Sequence, residues 1–220
     1  MSSATLERRL IPGPAGDLEL LIEVPAAGAP VAVAVCCHPH PLFGGSLTNK
    51  VIHTVARAFV AAGAATVRFN FRGVGASAGV HDDGRGECED LRAVVAWARE
   101  RWPGLPLWLG GFSFGAWIGL RCHAALAATR LVTVAPPAGR WDFSDVAPPT
   151  QPWLVIQGLR DELVSAAEVE RFARANGAAL HWAPIAEADH FFHGRLSELR
   201  NAVTEFLSVS RASEDQVRNE

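Results

Sequence analysis

The chain has 220 residues, 49% of them hydrophobic and 20% charged, with a formal net charge of −3. At this length roughly 70% of the unfolded chain's surface can be buried, so a packed core forms without disulfide or metal staples, and the charge is too low for a disordered segment. Lys plus Arg (20) is outnumbered by Asp plus Glu (23) with no basic block standing apart, which excludes phosphate-backbone binding and with it nucleic acid as a partner.

Met1 to Leu10 carries two arginines with no apolar run of secretory length behind them, and no stretch reaches the ~18 apolar residues of a membrane span, so a cytoplasmic protein without a span is expected. Thr5 to Ile11 and Asp17 to Val24 flank Gly13-Pro14-Ala15-Gly16 and predict a hairpin at one sheet edge. Short apolar runs then alternate with segments of helical period. The predicted strands are Val31 to Cys37, Ala65 to Phe71, Leu105 to Gly110, Leu131 to Ala135, Trp153 to Gln157 and Leu180 to Ala183. Between them lie predicted helices Leu47 to Ala62, Glu87 to Arg101, Phe114 to Ala127, Ala166 to Asn176 and Arg195 to Ser208. This alternation is the pattern of an α/β fold whose mostly parallel sheet is covered by helices on both faces. A single domain over 1–209 is expected, with a polar tail at 210–220. Pro136 to Pro152 carries five prolines and reads as a long structured loop.

Lys50 is the sole lysine, which argues against lysine-based covalent chemistry. Cys36 and Cys37 are adjacent, a poor disulfide geometry, and with Cys88 and Cys122 they show no zinc spacing; all four read as small buried hydrophobes.

Gly111-Phe112-Ser113-Phe114-Gly115 follows a predicted strand and precedes a predicted helix, which places Ser113 on a tight strand-to-helix turn. Small residues two before and two after the serine are what such a turn needs, because side chains there would meet neighbouring backbone. A serine is a poor nucleophile until a base takes its proton and an acid fixes that base's tautomer. His190, in the loop past the last predicted strand, is the best-placed base, with His193 as the runner-up; His53, His123 and His181 fall within predicted elements and read as structural. Asp161, past the strand Trp153 to Gln157, is the acid, with Glu162 and Asp189 as lesser candidates.

The chain order Ser113, Asp161, His190, each on a loop after a strand, resembles the α/β-hydrolase superfamily over about residues 5 to 209. Three segments are similar to a group of small bacterial α/β-hydrolases without a lid, related to dienelactone-hydrolase-like enzymes and serine esterases. They are Cys37-His38-Pro39-His40-Pro41-Leu42-Phe43-Gly44-Gly45-Ser46, Arg68-Phe69-Asn70-Phe71-Arg72-Gly73-Val74-Gly75-Ala76-Ser77 and Asp189-His190-Phe191-Phe192-His193-Gly194. The resemblance implies a lidless α/β-hydrolase fold and a serine hydrolase, above all a carboxylesterase on small soluble acyl esters, that needs no cofactor or metal. It also implies an oxyanion hole made by the Phe114 amide and one amide from the loop after the first parallel strand. Pro39 and Pro41 have no N–H to give; aligning Gly44-Gly45-Ser46 with the family's glycine turn favours Leu42, which is taken here, whereas counting from the strand end favours His40. His38 and His40 are expected to brace this turn rather than hold a metal.

Ser113 departs from dehalogenases, which place an aspartate there, and from dienelactone hydrolases in the strict sense, which place a cysteine. Arg72-Gly73-Val74-Gly75 lacks the remainder of a phosphate loop and is read as a turn. Pro136 to Pro152 leaves little room for a lid, so an open cleft edged by Phe43, Trp141, Phe143, Phe191 and Phe192 is expected. A thioesterase or small aminopeptidase would use the same machinery, and a small-ligand-binding protein could retain the fold without turnover.

Overall fold

The computed structural model describes residues 5–218, with side chains through Val209. Its centre is an eight-stranded sheet in the order β1-β2-β4-β3-β5-β6-β7-β8. The strands are β1 (Thr5–Gly13), β2 (Gly16–Val24), β3 (Ala32–Cys37), β4 (Ala64–Phe69), β5 (Leu107–Phe112), β6 (Arg130–Val134), β7 (Trp153–Gly158) and β8 (Leu180–Ile185). The β1–β2 hairpin lies at one edge as expected, β2 is antiparallel to β4, and every later pairing is parallel. β1 is mostly exposed, as an edge strand must be, while β3 to β7 are buried along their whole length.

Helices α1 (Lys50–Ala61), α2 (Arg85–Arg101), α3 (Phe114–Cys122), α4 (Ala166–Asn176) and α5 (Leu196–Arg218) cover the two faces. Alternate residues of β3 sort the core into two layers. Val33, Val35 and Cys37 face Leu91, Val95, Ile118 and Val169 of α2, α3 and α4, and Ala32, Ala34 and Cys36 face Val55, Phe59, Val203 and Phe206 of α1 and α5. All four cysteines are free and buried.

Several boundaries differ from expectation for local reasons. Leu47 to Asn49 stays outside α1 because Asn49 caps it, its side-chain oxygen accepting from the amides of Val51 and Ile52. α2 begins earlier, where the Glu87 carboxylate accepts from the amides of Asp82 and Gly84. α3 is shorter than its apolar pattern suggested, ending where the His123 ring reaches the Ala147 carbonyl and the Gln151 amide. α5 continues through Arg218, past the expected end at Ser208; of the polar tail, residues 219–220 lie outside the described residues. β5 runs through Gly110, Gly111 and Phe112, which pair with β3 and β6, so these glycines belong to the strand. A Cβ on Gly110 would sit 2.9 Å from the Phe59 ring, and the strand must be bare there for α1 to lie against it. No helix among the described residues is long and apolar enough to cross a membrane.

Candidate active site

Ser113 is the single residue between β5 and α3, with φ 53° and ψ −116°, a conformation that costs a non-glycine residue about 1–3 kcal/mol. Its surroundings enforce that conformation. The Ser113 amide donates to the Val134 carbonyl, a Cβ on Gly111 would lie 2.4 Å from the Gly115 carbonyl oxygen, and one on Gly115 would lie 2.2 Å from that of Cys37. β3, β5 and α3 therefore meet at van der Waals limits around the serine, and its hydroxyl projects beyond the carboxyl ends of the strands.

The loops after β7 and β8 are bound to one another. The Leu159 amide donates to the Ile185 carbonyl and that of Arg160 to Ala188, and a Cβ on Gly158 would lie 2.4 Å from the Ala188 oxygen. This crossing brings the two sequence-predicted partners to Ser113. His190 Nε2 is 3.2 Å from Ser113 Oγ, and His190 Nδ1 is 2.8 Å from Asp161 Oδ2. The other Asp161 oxygen accepts from the amides of Leu163 and Val164, and the Gln157 side-chain amide donates to Oδ2 at 3.0 Å. Burial works to raise the Asp161 pKa, but the His190 bond and charge and the two amides outweigh it and hold the carboxyl below its usual range. The lesser candidates are occupied elsewhere: His193 Nδ1 sits 2.7 Å from Asp189, and Glu162 accepts from the His190 amide.

The loop after β3 folds over Phe114. Gly45 is pressed so close to the Pro39 carbonyl that a Cβ would lie 2.0 Å from its oxygen. Pro41–Phe43 forms a single 3₁₀ turn in which the Leu42 amide is engaged, donating to the His40 ring at 3.2 Å. Among the described residues the His40 and Phe114 amides have no hydrogen-bond acceptor. Burial, then the neighbouring His81, lowers the His40 pKa.

His38 braces the turn as expected. Its Nδ1–H donates to the Pro39 carbonyl at 2.6 Å, while Nε2 accepts from the Phe71 amide at 3.0 Å. Only the neutral ring satisfies both bonds, and burial pushes its pKa down to about 4. The unfolded chain, with an ordinary histidine near 6.5, therefore binds more protons as pH falls from about 6.5 to 4, and stability drops across that window. Urea unfolding at pH 7 and pH 4.5 should show wild type losing about 2 kcal/mol more than His38→Gln between the two pH values. Equal losses would remove His38 as the cause.

Of the aromatics expected at the cleft, the structure brings some and not others. A cavity of about 200 Å³ at Ser113 and His190 is lined by Phe43 and Trp141 together with Arg140, Leu163 and Val164. Phe43 is 84% exposed and Phe191, also exposed, packs on His190. Phe192 is instead fully buried in the layer beneath α1 and α5, turned inward by a φ of 55°, and Phe143 packs on Phe172 of α4. Gln157 was missed by sequence reasoning; a polar residue closing an otherwise apolar strand was the available signal.

An eight-stranded, mostly parallel sheet carrying a strained serine, with a buried carboxylate and histidine on the loops after β7 and β8, defines an α/β hydrolase. Comparison with known proteins agrees. A family model described as serine aminopeptidase, S33, matches residues 42–149. An α/β serine hydrolase without a lid from Xanthomonas campestris is 44% identical, with a TM-score of 0.86 and coverage of 92% of this chain and 94% of that one. A serine hydrolase homologue from Coxiella burnetii is 42% identical, with a TM-score of 0.87 and coverage of 90% and 96%. An uncharacterised protein of Rickettsia prowazekii is 34% identical over 206 residues, 89% of this chain and 86% of its own length. The chain belongs to the α/β-hydrolase superfamily, among its lidless serine hydrolases.

Proposed function

We propose that the protein is a carboxylesterase acting on small soluble acyl esters. Ser113 Oγ attacks the ester carbonyl carbon as its proton passes to His190 Nε2. The resulting imidazolium is stabilised and oriented by Asp161, and the tetrahedral oxyanion lies between backbone amides. Collapse breaks the bond to the alcohol, which takes the proton from His190 and leaves an acyl-Ser113. Water, deprotonated by His190, then releases the acid and restores the serine.

One observation carries the reading: the His190 ring stands between Ser113 Oγ and Asp161 Oδ2 at 3.2 and 2.8 Å, so Nε2 can take the serine proton while Nδ1–H stays bonded to Asp161. Treatment with a fluorophosphonate should place a single adduct on Ser113 and abolish hydrolysis of 4-nitrophenyl acetate. Absence of both label and turnover would overturn the proposal. Hydrolysis of 4-nitrophenyl acetate without release of 4-nitroaniline from aminoacyl 4-nitroanilides separates this reading from the aminopeptidase alternative.

For the second oxyanion donor the free amide of His40 is preferred to that of Leu42, which is already bonded to the His40 ring. His40 has φ −51°, which proline can adopt, so His40→Pro deletes the N–H while His40→Ala keeps it. His40→Pro should lower kcat by about 10² to 10³ relative to His40→Ala. Equal rates in the two variants would return the role to Leu42.

A further inference from the structure

Next to the Ser113 cleft is a second cavity of about 250 Å³, lined by His40, His81, Asp83, Phe114, Trp117 and Trp141. It shares two walls with the cleft, His40 and Trp141. The walls are flat rings set against one another, with Trp117 and Trp141 at 5.1 Å, Phe114 and Trp141 at 5.6 Å, and His40 and Phe114 at 5.0 Å between centroids. Trp117 is fixed in place, its indole N–H donating to the Asp142 carbonyl and one face covered by the Arg121 guanidinium. At one end His81 and Asp83 supply polar groups: His81 Nε2 lies 3.5 Å from Asp83 Oδ1, too long for a good hydrogen bond, and Nδ1 faces the buried Glu87 at 2.7 Å.

The chemistry at Ser113 assigns a direction to this space. His190 returns its proton to the departing alcohol, so the alcohol lies on the His190, Leu163 and Val164 side of the cleft. With the oxyanion against the Phe114 amide, the acyl substituent is left pointing past His40 and Trp141. This solvent-open space of about 250 Å³ has room for a single ring. Aromatic walls favour another ring in offset or edge-to-face contact. A saturated chain would gain none of the ring-to-ring contacts these walls offer.

We propose that this cavity is the acyl subsite and takes an aromatic acyl group whose ring carries a hydroxyl at the end facing Asp83 and His81. The assignment rests on Ser113 being the nucleophile of an ester hydrolase.

The test compares kcat/KM for 4-nitrophenyl acetate, benzoate and 4-hydroxybenzoate, each divided by the rate of that ester's hydrolysis by hydroxide. Wild type should prefer the hydroxybenzoate to the acetate by at least about tenfold, and Trp117→Leu should erase most of that preference. Asp83→Asn, at an exposed position, should lower the ratio of hydroxybenzoate to benzoate by about two- to fivefold. An acetate preference in wild type, or ratios unmoved in both variants, would overturn the subsite. Direct titration of 4-hydroxybenzoate into the Ser113→Ala protein by calorimetry separates the two levels of the argument. Saturable binding weakened by Trp117→Leu supports the subsite even if no ester is turned over, and no binding rejects it even if 4-nitrophenyl acetate is hydrolysed well.

Discussion

Replacing Ser113 with alanine is expected to lower kcat on 4-nitrophenyl acetate by about 10⁶, leaving the unfolding midpoint unchanged or slightly raised. The loss is that large because the hydroxyl is the atom that forms the acyl bond: without it, His190 and Asp161 have no proton to move, and only the amides that would hold the oxyanion still act. The folded state should tolerate the change. The hydroxyl's contact is His190 at 3.2 Å, whereas the turn itself is held by the bond from the Ser113 amide to Val134 and by the close approach of Gly111 and Gly115 to their neighbours. Alanine keeps that backbone and still carries a Cβ at positive φ, so the local strain is the same. Initial rates with purified protein, together with a urea titration, decide the matter. Retained turnover at more than about a hundredth of wild type would remove Ser113 from the mechanism.

Asp161→Asn is expected to lower kcat by about 10⁴, and the reason is geometric. Asp161 Oδ1 accepts from two main-chain amides, those of Leu163 and Val164, so the oxygen of an asparagine must stay on that side. The new NH₂ then takes the place of Oδ2, facing His190 Nδ1 and the Gln157 amide, where a hydrogen-bond acceptor stood. His190 can meet it only by turning Nδ1 into an acceptor, which moves the ring proton to Nε2 and removes the lone pair that would take the serine proton. The variant should therefore bind fluorophosphonate far more slowly while KM changes little. Asp161→Asn retaining more than about a tenth of wild-type kcat would show that His190 is oriented by something else. Because Asp161 is held below the usual carboxylate range, its ionised form persists through mild acid. Its contribution to stability is present above the ordinary aspartate pKa and is lost only as pH falls through the lower folded value.

The loop after β3 shows where sequence reasoning stops. Gly44 and Gly45 marked a turn there, the resemblance to lidless hydrolases assigned it to the oxyanion hole, and alignment of the glycine turn chose Leu42 over His40. The proposal of His40 instead rests on its imidazole, which accepts from the Leu42 N–H. Its orientation depends on ring contacts with Phe43, His81, Phe114 and Trp141, which come from four different parts of the chain. Phe192 gives the same lesson. Its neighbour Phe191 lies at the surface beside His190, yet a positive φ at Phe192 buries its ring among side chains of α1 and α5. No periodicity in a short loop encodes such a reversal.

Taken alone, the amino-acid order determined the α/β class, the edge hairpin, the glycine-flanked serine turn, and which histidine and aspartate could partner it. Each of these follows from local chemistry: apolar periodicity, glycine where a Cβ has no room, and loops placed at strand ends. The tertiary structure alone decided which side chains fill the space around the serine, because that depends on contacts between residues far apart in the chain. The crossing of the loops after β7 and β8, the donation from Gln157 to Asp161 and the ring-walled cavity beside His40 are all of this kind.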